Sequence, residues 1–250
     1  MRRDVALFIT CLADQFYPRV GIAVTRVLEH FGCTVHFPAD QTCCGQPLFN
    51  NGHTDAAAAL ARRMVEIFEP WQNIVTPSAS CCAMVREQFP RLLGSDPAWA
   101  TATRRLCSRT FEFVEFLTRV LRVDLRGLCL PRPTTLTVHY NCHQRPLGLR
   151  DESRQLLRQI GNVRLCEMPK AEQCCGFGGA FAVKYPAISG AIAADKLDCI
   201  AASGAAVAVS NDAGCTMNIA GAAHRRGMPI RLLHIAEVIA EALGMDVEHW

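Results

Sequence analysis

Cysteine is the residue type with most chemistry to offer in this chain, fourteen of 250 residues, and eight of them form a repeated pattern. The doublets Cys43-Cys44-Gly45 and Cys174-Cys175-Gly176 are twins. Cys11 precedes the first by 32 positions (43 − 11), and Cys142 precedes the second by the same 32 (174 − 142). Downstream, Cys81 follows Cys44 by 37 (81 − 44) and Cys215 follows Cys175 by 40 (215 − 175), a difference expected of a loop insertion. Thiolates are soft ligands suited to iron–sulfur clusters, zinc or copper(I), and four per half satisfy either a cubane-type 4Fe-4S cluster or a tetrahedral zinc. Adjacent cysteines fit a compact zinc knuckle poorly, whereas neighbouring thiolates can reach different irons of one cluster. Zinc at one site stays open. Gly45 and Gly176 are expected to let the backbone turn tightly and approach inorganic sulfide, which makes them candidate cofactor-binding residues.

The segments between the cysteines must bring them together, and these repeat as well. In half one, strand 5–10 leads through Cys11 to a helix near 18–31, a strand 33–37 and the doublet. An Ala-rich helix 53–68 and a strand 73–76 then lead to Cys81. Half two runs through strand 135–140, Cys142, a helix near 151–160, strand 162–167, the second doublet, helix 186–202 and strand 205–210 to Cys215. The apolar spacing of 111–117 returns in 232–238. Alternating strands and helices imply α/β architecture with mainly parallel sheets and right-handed crossovers. The expectation is two pseudo-equivalent three-layer halves, 1–125 and 134–250, joined near Leu125–Pro133. Cysteine motifs would then lie at the C-terminal ends of the strands, where such sheets bind ligands.

Composition narrows the function further. Lys plus Arg exceed Asp plus Glu by three, with no basic stripe, so no nucleic acid partner is expected. The charged start Met1-Arg2-Arg3 followed by Val5–Ala13 superficially resembles a signal peptide, but Asp4 interrupts it and the segment reads better as a buried strand. No apolar run approaches the roughly 20 residues of a membrane helix. A cytoplasmic protein with reduced or metal-bound cysteines is expected. Nothing matches a dinucleotide or phosphate loop, since Gly176-Phe177-Gly178-Gly179-Ala180-Phe181 ends in Phe. Cys33, Cys107, Cys129, Cys166 and Cys199 lack counterparts in the repeat and read as small core residues.

The motifs Phe8-Ile9-Thr10-Cys11-Leu12-Ala13-Asp14, Gln41–Pro47, Pro77–Cys81, His139–His143 and Cys174–Gly179 resemble the cysteine-rich, or CCG, domain family. That family includes a cysteine-rich component of heterodisulfide reductase and the iron–sulfur component of glycolate oxidase, and the match is closer to its lactate-utilisation members. The resemblance implies an iron–sulfur oxidoreductase component that works with partner subunits to oxidise L-lactate, a small 2-hydroxy acid, to pyruvate by electron transfer. One departure concerns the ligands. The heterodisulfide reductase pattern ends Cys-x-x-Cys, whereas Met84 stands three after Cys81 and Asn218 three after Cys215. Cys82 is therefore a candidate fifth ligand in half one, added to Cys11, Cys43, Cys44, Cys81, Cys142, Cys174, Cys175 and Cys215.

His139 and His143 flank Cys142 and are the candidate catalytic residues, able to ligate metal, move a proton or hydrogen-bond a sulfur. Half two is accordingly expected to lie nearer the chemistry. Asn50 and His53 either support the first doublet or cap the following helix, and Gly178-Gly179 reads as a tight turn. Two other functions compete: a zinc-organised assembly module, and a thiol–disulfide enzyme of the heterodisulfide reductase kind.

Overall fold

The computed structural model describes residues 3–246. Met1 and Arg2 of the charged start, and residues 247–250, lie outside the described residues. Two sheets of four parallel strands organise the chain. The first holds β1 (Arg3–Leu7), β2 (Cys33–His36), β3 (Ile74–Thr76) and β4 (Thr110–Glu112) in the order β2-β1-β3-β4. The second holds β5 (Cys129–Val138), β6 (Gly161–Leu165), β7 (Val207–Ser210) and β8 (Arg231–His234) in the order β6-β5-β7-β8. The strand orders of the two halves are therefore the same. The expected α/β fold with parallel sheets is what the structure has, although β5 starts at Cys129, inside the segment read as a connection, with a register shift between Cys129 and Thr134.

Burial explains why both sheets are parallel and covered on both faces. Along β1 and just past it, Val5, Leu7 and Ile9 point into one core while Ala6 and Phe8 point into another. The same alternation places Val207 and Val209 of β7 in the first core and Ala208 in a third. That first core is common to both halves, with Val20, Val24 and Val27 of helix Pro18–His30 beside Val238, Ile239 and Ala242 of helix Ile235–Ala242. Helix Pro18–His30 forms because its apolar residues recur at three and four positions, its first residue is the proline suited to that place, and Gly32 at φ 82° ends it.

The chain builds β1 and β2, then crosses to the opposite side of β1 for β3, and half two repeats the move around β5. At such a switch point the two connections leave in opposite directions and open a crevice outside the strand ends. Cys11 follows β1 and Cys81 follows β3, on either side of that crevice, and the doublet follows β2. Cys142, Cys215 and Cys174-Cys175 occupy the equivalent places around β5, β7 and β6. Among the described residues, no helix is long and apolar enough to cross a membrane.

Candidate metal centre

All eight repeated cysteines line one cavity of about 320 Å³ between the halves. In half one the Sγ atoms of Cys11 and Cys43 are 3.8 Å apart and those of Cys44 and Cys81 are 3.2 Å apart. In half two Cys175 and Cys215 approach to 3.0 Å, and Cys142 hydrogen-bonds Cys174. Each doublet turns on its glycine. Gly45 and Gly176 have φ of 81° and 84°, in the left-handed region that favours glycine, and their amides donate to Cys43 Sγ at 3.4 Å and Cys174 Sγ at 3.3 Å. A Cβ on Gly176 would also stand 2.7 Å from the carbonyl oxygen of Ser189.

These contacts favour negative charge at one cysteine of each doublet. Hydrogen bonds from Cys11 and Cys44 hold the Cys43 thiol down at about 3, and those from Cys142 and Cys175 hold Cys174 down at about 2. Their donors, Cys11 and Cys142, are pushed up by the same bonds and by burial. In each half these bonds favour the charged form at the first position of the doublet, where the glycine amide adds a further donor.

Cys81 and Cys215 sit in the first turns of helices Ala79–Ala83 and Ala213–Arg225, capped by Ser78 and Asp212. Asp212 caps both. Its Oδ1 accepts from the amides of Gly214 at 3.0 Å and Cys215 at 3.3 Å, and its Oδ2 accepts from Ser78 Oγ at 2.8 Å and the Ser80 amide at 3.0 Å. One buried carboxylate thus fixes the two cysteine helices against each other. A second pair of crossings surrounds it. Glu112 Oε1 accepts from Asn211 Nδ2 at 3.3 Å, and His234 Nε2 lies 3.1 Å from the Pro77 carbonyl oxygen.

The remaining expected residues take different positions. Cys82 does not line the cavity; it is fully buried with Ala79, Ala83, Leu147 and Leu149, in a different cluster from Cys81. His143 does line it, with Nδ1 3.6 Å from Cys142 Sγ and Nε2 3.3 Å from Gln46 Nε2 of half one. His139 lies behind the wall, 1% exposed, and neither ring nitrogen has a hydrogen-bond partner among the described residues. Burial, then the charge of Lys196, lowers its pKa to about 4, so it is a neutral imidazole rather than one titrating near neutrality. One of its ring nitrogens and the sulfurs of Cys175 and Cys215 lie within 4.8 Å of one another.

Asn50 lines the cavity, whereas His53 is exposed at the start of helix Thr54–Phe68 and its side chain makes no cap bond. Gly178 and Gly179, at φ 53° and 62°, form the turn expected of them. Sequence reasoning missed Asp212, Gln46 and Asn141, whose Nδ2 donates to Cys215 Sγ at 3.3 Å. Asp212 carried a signal, an Asp three residues before a helical cysteine, which is where an N-cap belongs.

The donor set fits an iron–sulfur cluster: soft thiolates converge from both halves, and backbone amides point at sulfur. The orphaned His139 nitrogens, beside Cys175 and Cys215, are the buried polar atoms such a group would satisfy.

Comparison with known proteins agrees with the duplication. The family described as "CCG: Cysteine-rich domain" matches residues 5–86 and again 136–220, once per half. The chain is 41% identical over 236 residues to "Lactate utilization protein A" of Bacillus subtilis, covering 94% of this chain and 98% of that one. It is 42% identical over the same length, with the same coverage, to the protein so named in Bacillus velezensis. Among solved structures, a hypothetical protein from Helicobacter pylori superposes with a TM-score of 0.69 at 10% identity over 98% of this chain, which spans 49% of its length. That likeness concerns the fold alone.

Proposed function

This chain belongs to the cysteine-rich CCG domain family, and from that premise we propose that it is an iron–sulfur redox component of a system oxidising L-lactate to pyruvate. The observation that carries the reading is the meeting of eight thiols from two halves in a single cavity. Half one would hold its group through Cys11, Cys43, Cys44 and Cys81, and half two through Cys142, Cys174, Cys175 and Cys215. When bound, such clusters supply one-electron transfer. The rest of the work falls to the chain itself. The amides of Gly45 and Gly176 orient the doublets, Asp212 sets the spacing of the two sites, and His143 with Gln46 ties the Cys142 loop to half one.

Lactate surrenders two electrons and two protons, and no hydride acceptor motif occurs in this sequence, so partner subunits complete the reaction. The lactate-utilization name carried by relatives at 41% identity supports the substrate. Fourteen free cysteines, none bridged in the structure, suit a reducing cytoplasm.

His139 beside Cys175 and Cys215 favours a second reading, zinc in half two, because a mixed nitrogen and sulfur set is a usual zinc environment. Iron, acid-labile sulfide and zinc content, measured with electron paramagnetic resonance on protein purified without oxygen, separates the two. Iron and sulfide in matching amounts support the cluster reading. A colourless protein with stoichiometric zinc and no sulfide would overturn it.

A further inference from the structure

The two halves differ at a buried residue directly behind their doublets. The helices that follow the doublets can be matched through the glycines: a Cβ on Gly45 would meet Ala57 and Leu60, and one on Gly176 would meet Ser189 and Ile192. Four residues beyond Leu60 is Met64, and four beyond Ile192 is Lys196. Both are fully buried. Met64 packs with Cys44 and Cys81 in an apolar core. Lys196 instead brings a cation to the equivalent place, next to Leu197, which packs with Cys175 and Cys215.

The Lys196 Nζ donates to the carbonyl oxygens of Lys170 at 3.0 Å and Ala171 at 3.2 Å, and lies 3.8 Å from Met168 Sδ. None of these partners is an acid. A buried ammonium without a carboxylate is costly unless other negative charge is near. Burial lowers the Lys196 pKa, and the sulfurs of Cys199, Cys175, Cys174 and Cys215 oppose that by favouring the charged form. A positive charge in a low-dielectric surround favours the more negative, reduced state of a redox group beside it.

A second replacement acts in the same direction. His139 stands where half one has Phe8, at the offset that relates Cys142 to Cys11 (142 − 11 = 139 − 8). A nitrogen ligand, or a donor to sulfur, raises the potential relative to a phenyl ring. Asp212 caps both cysteine helices, and its charge acts on Cys142 and Cys215 of half two in the direction opposite to Lys196.

Resting on the iron–sulfur reading, we infer that Lys196 tunes the half-two centre to the higher reduction potential, so that an electron shared between the two centres resides on half two. Lys196 is a positioning and tuning residue; it touches no reacting atom.

The test is a potentiometric titration of the full, anaerobically loaded chain, followed by electron paramagnetic resonance, with iron and sulfide measured on each sample. Lys196→Gln keeps a donor for the Lys170 and Ala171 carbonyls and removes the charge, whereas Lys196→Arg keeps the charge. The wild type shows two couples. In Lys196→Gln the higher couple falls by about 59 mV, the one-electron equivalent of a tenfold loss of electron affinity, while the lower couple and the iron content stay put. Lys196→Arg leaves both couples in place. Movement of the lower couple alone, equal movement of both, or no movement with iron retained would each overturn the inference. Should Lys196→Gln lose iron, Lys196→Met, which copies the half-one residue, is titrated with the same expectation. Iron loss in both, with Lys196→Arg fully loaded, would make Lys196 a loop anchor only and equally overturn the tuning role. A wild type without iron or sulfide defeats the iron–sulfur reading itself, a different outcome from any of these.

Discussion

Replacing Asp212 with Ala should damage both metal sites through one substitution. The carboxylate accepts from four donors, two in each half, and is 3% exposed. Losing an N-cap costs about 1 kcal/mol. Ser78 can fall back on Ser80 Oγ at 3.1 Å, so its hydroxyl is not stranded. The Ser80 amide has no such substitute among its hydrogen bonds, and a buried donor left without its charged acceptor costs about 1–3 kcal/mol. The sum is about 2–4 kcal/mol, a large share of the 5–15 kcal/mol typical of a domain.

Urea unfolding of the metal-free chain under reducing conditions measures this, and the core common to both halves makes a single transition the expectation. The sharper readout is a cycle with Ser78→Ala. Because Ser78 Oγ and Asp212 Oδ2 share a 2.8 Å bond, the two substitutions should couple by about 1–2 kcal/mol. Metal content supplies the second arm, with Cys81 and Cys215 both losing the helix geometry that aims them. A stability loss under about 0.5 kcal/mol, the usual range of an inconsequential surface change, would refute the staple. Metal lost from half two alone would refute its reach across the interface.

Other expectations concern single residues. Cys81→Ser should remove metal from half one, whereas Cys82→Ser should keep it and lose about 1–2 kcal/mol, because the buried hydroxyl has only Arg86 and the Thr110 carbonyl oxygen, 4.0 Å from Cys82 Sγ, as hydrogen-bonding neighbours among the described residues; metal analysis with thermal unfolding checks both, and the reverse pattern of metal loss means the register is off by one. Glu112 governs a pH dependence. Burial raises its pKa from 4.5 to about 8, so the folded chain holds a proton that the unfolded chain releases, and this contribution to stability is present below about 4.5 and fades as pH rises to about 8. Glu112→Gln, uncharged at every pH, should flatten the stability profile of the metal-free chain between those values; an unchanged slope in urea titrations across that window would contradict the assignment.

The repeat made the fold readable because cysteine spacing, strand content and helix periodicity all duplicated in register. The three extra residues of half two divide as one ahead of the Ala-rich helix and two after it: the offsets grow from 131 (174 − 43) to 132 (189 − 57) and then 134 (212 − 78). Other features escaped a linear reading for a physical reason. A helix cap is local and visible, but that one carboxylate caps two helices depends on how the halves dock, which no spacing encodes. Cys81 and Cys82 could not be separated from composition, since adjacent helical residues point about 100° apart and only tertiary packing says which faces the cavity.

Lys196 was visible and passed over. It lies on the buried stripe Ala193, Lys196, Leu197, Ile200 of an otherwise apolar helix face, where a charged residue contradicts the pattern. Such a contradiction is informative because burying an ammonium is expensive, and a chain bears that cost only where something offsets it. The same logic applies to His139, sealed from solvent with two unsatisfied nitrogens where half one has a phenyl ring. Duplication accounts for the shared cysteines of the two halves and for their common strand order. Lys196 and His139 cannot have come from the same constraint, because they break the repeat, and they stand behind one doublet only. Under the iron–sulfur reading, two identical sites would exchange an electron with no preferred direction, whereas one cation and one imidazole behind a single site would give the pair a direction without altering any cysteine.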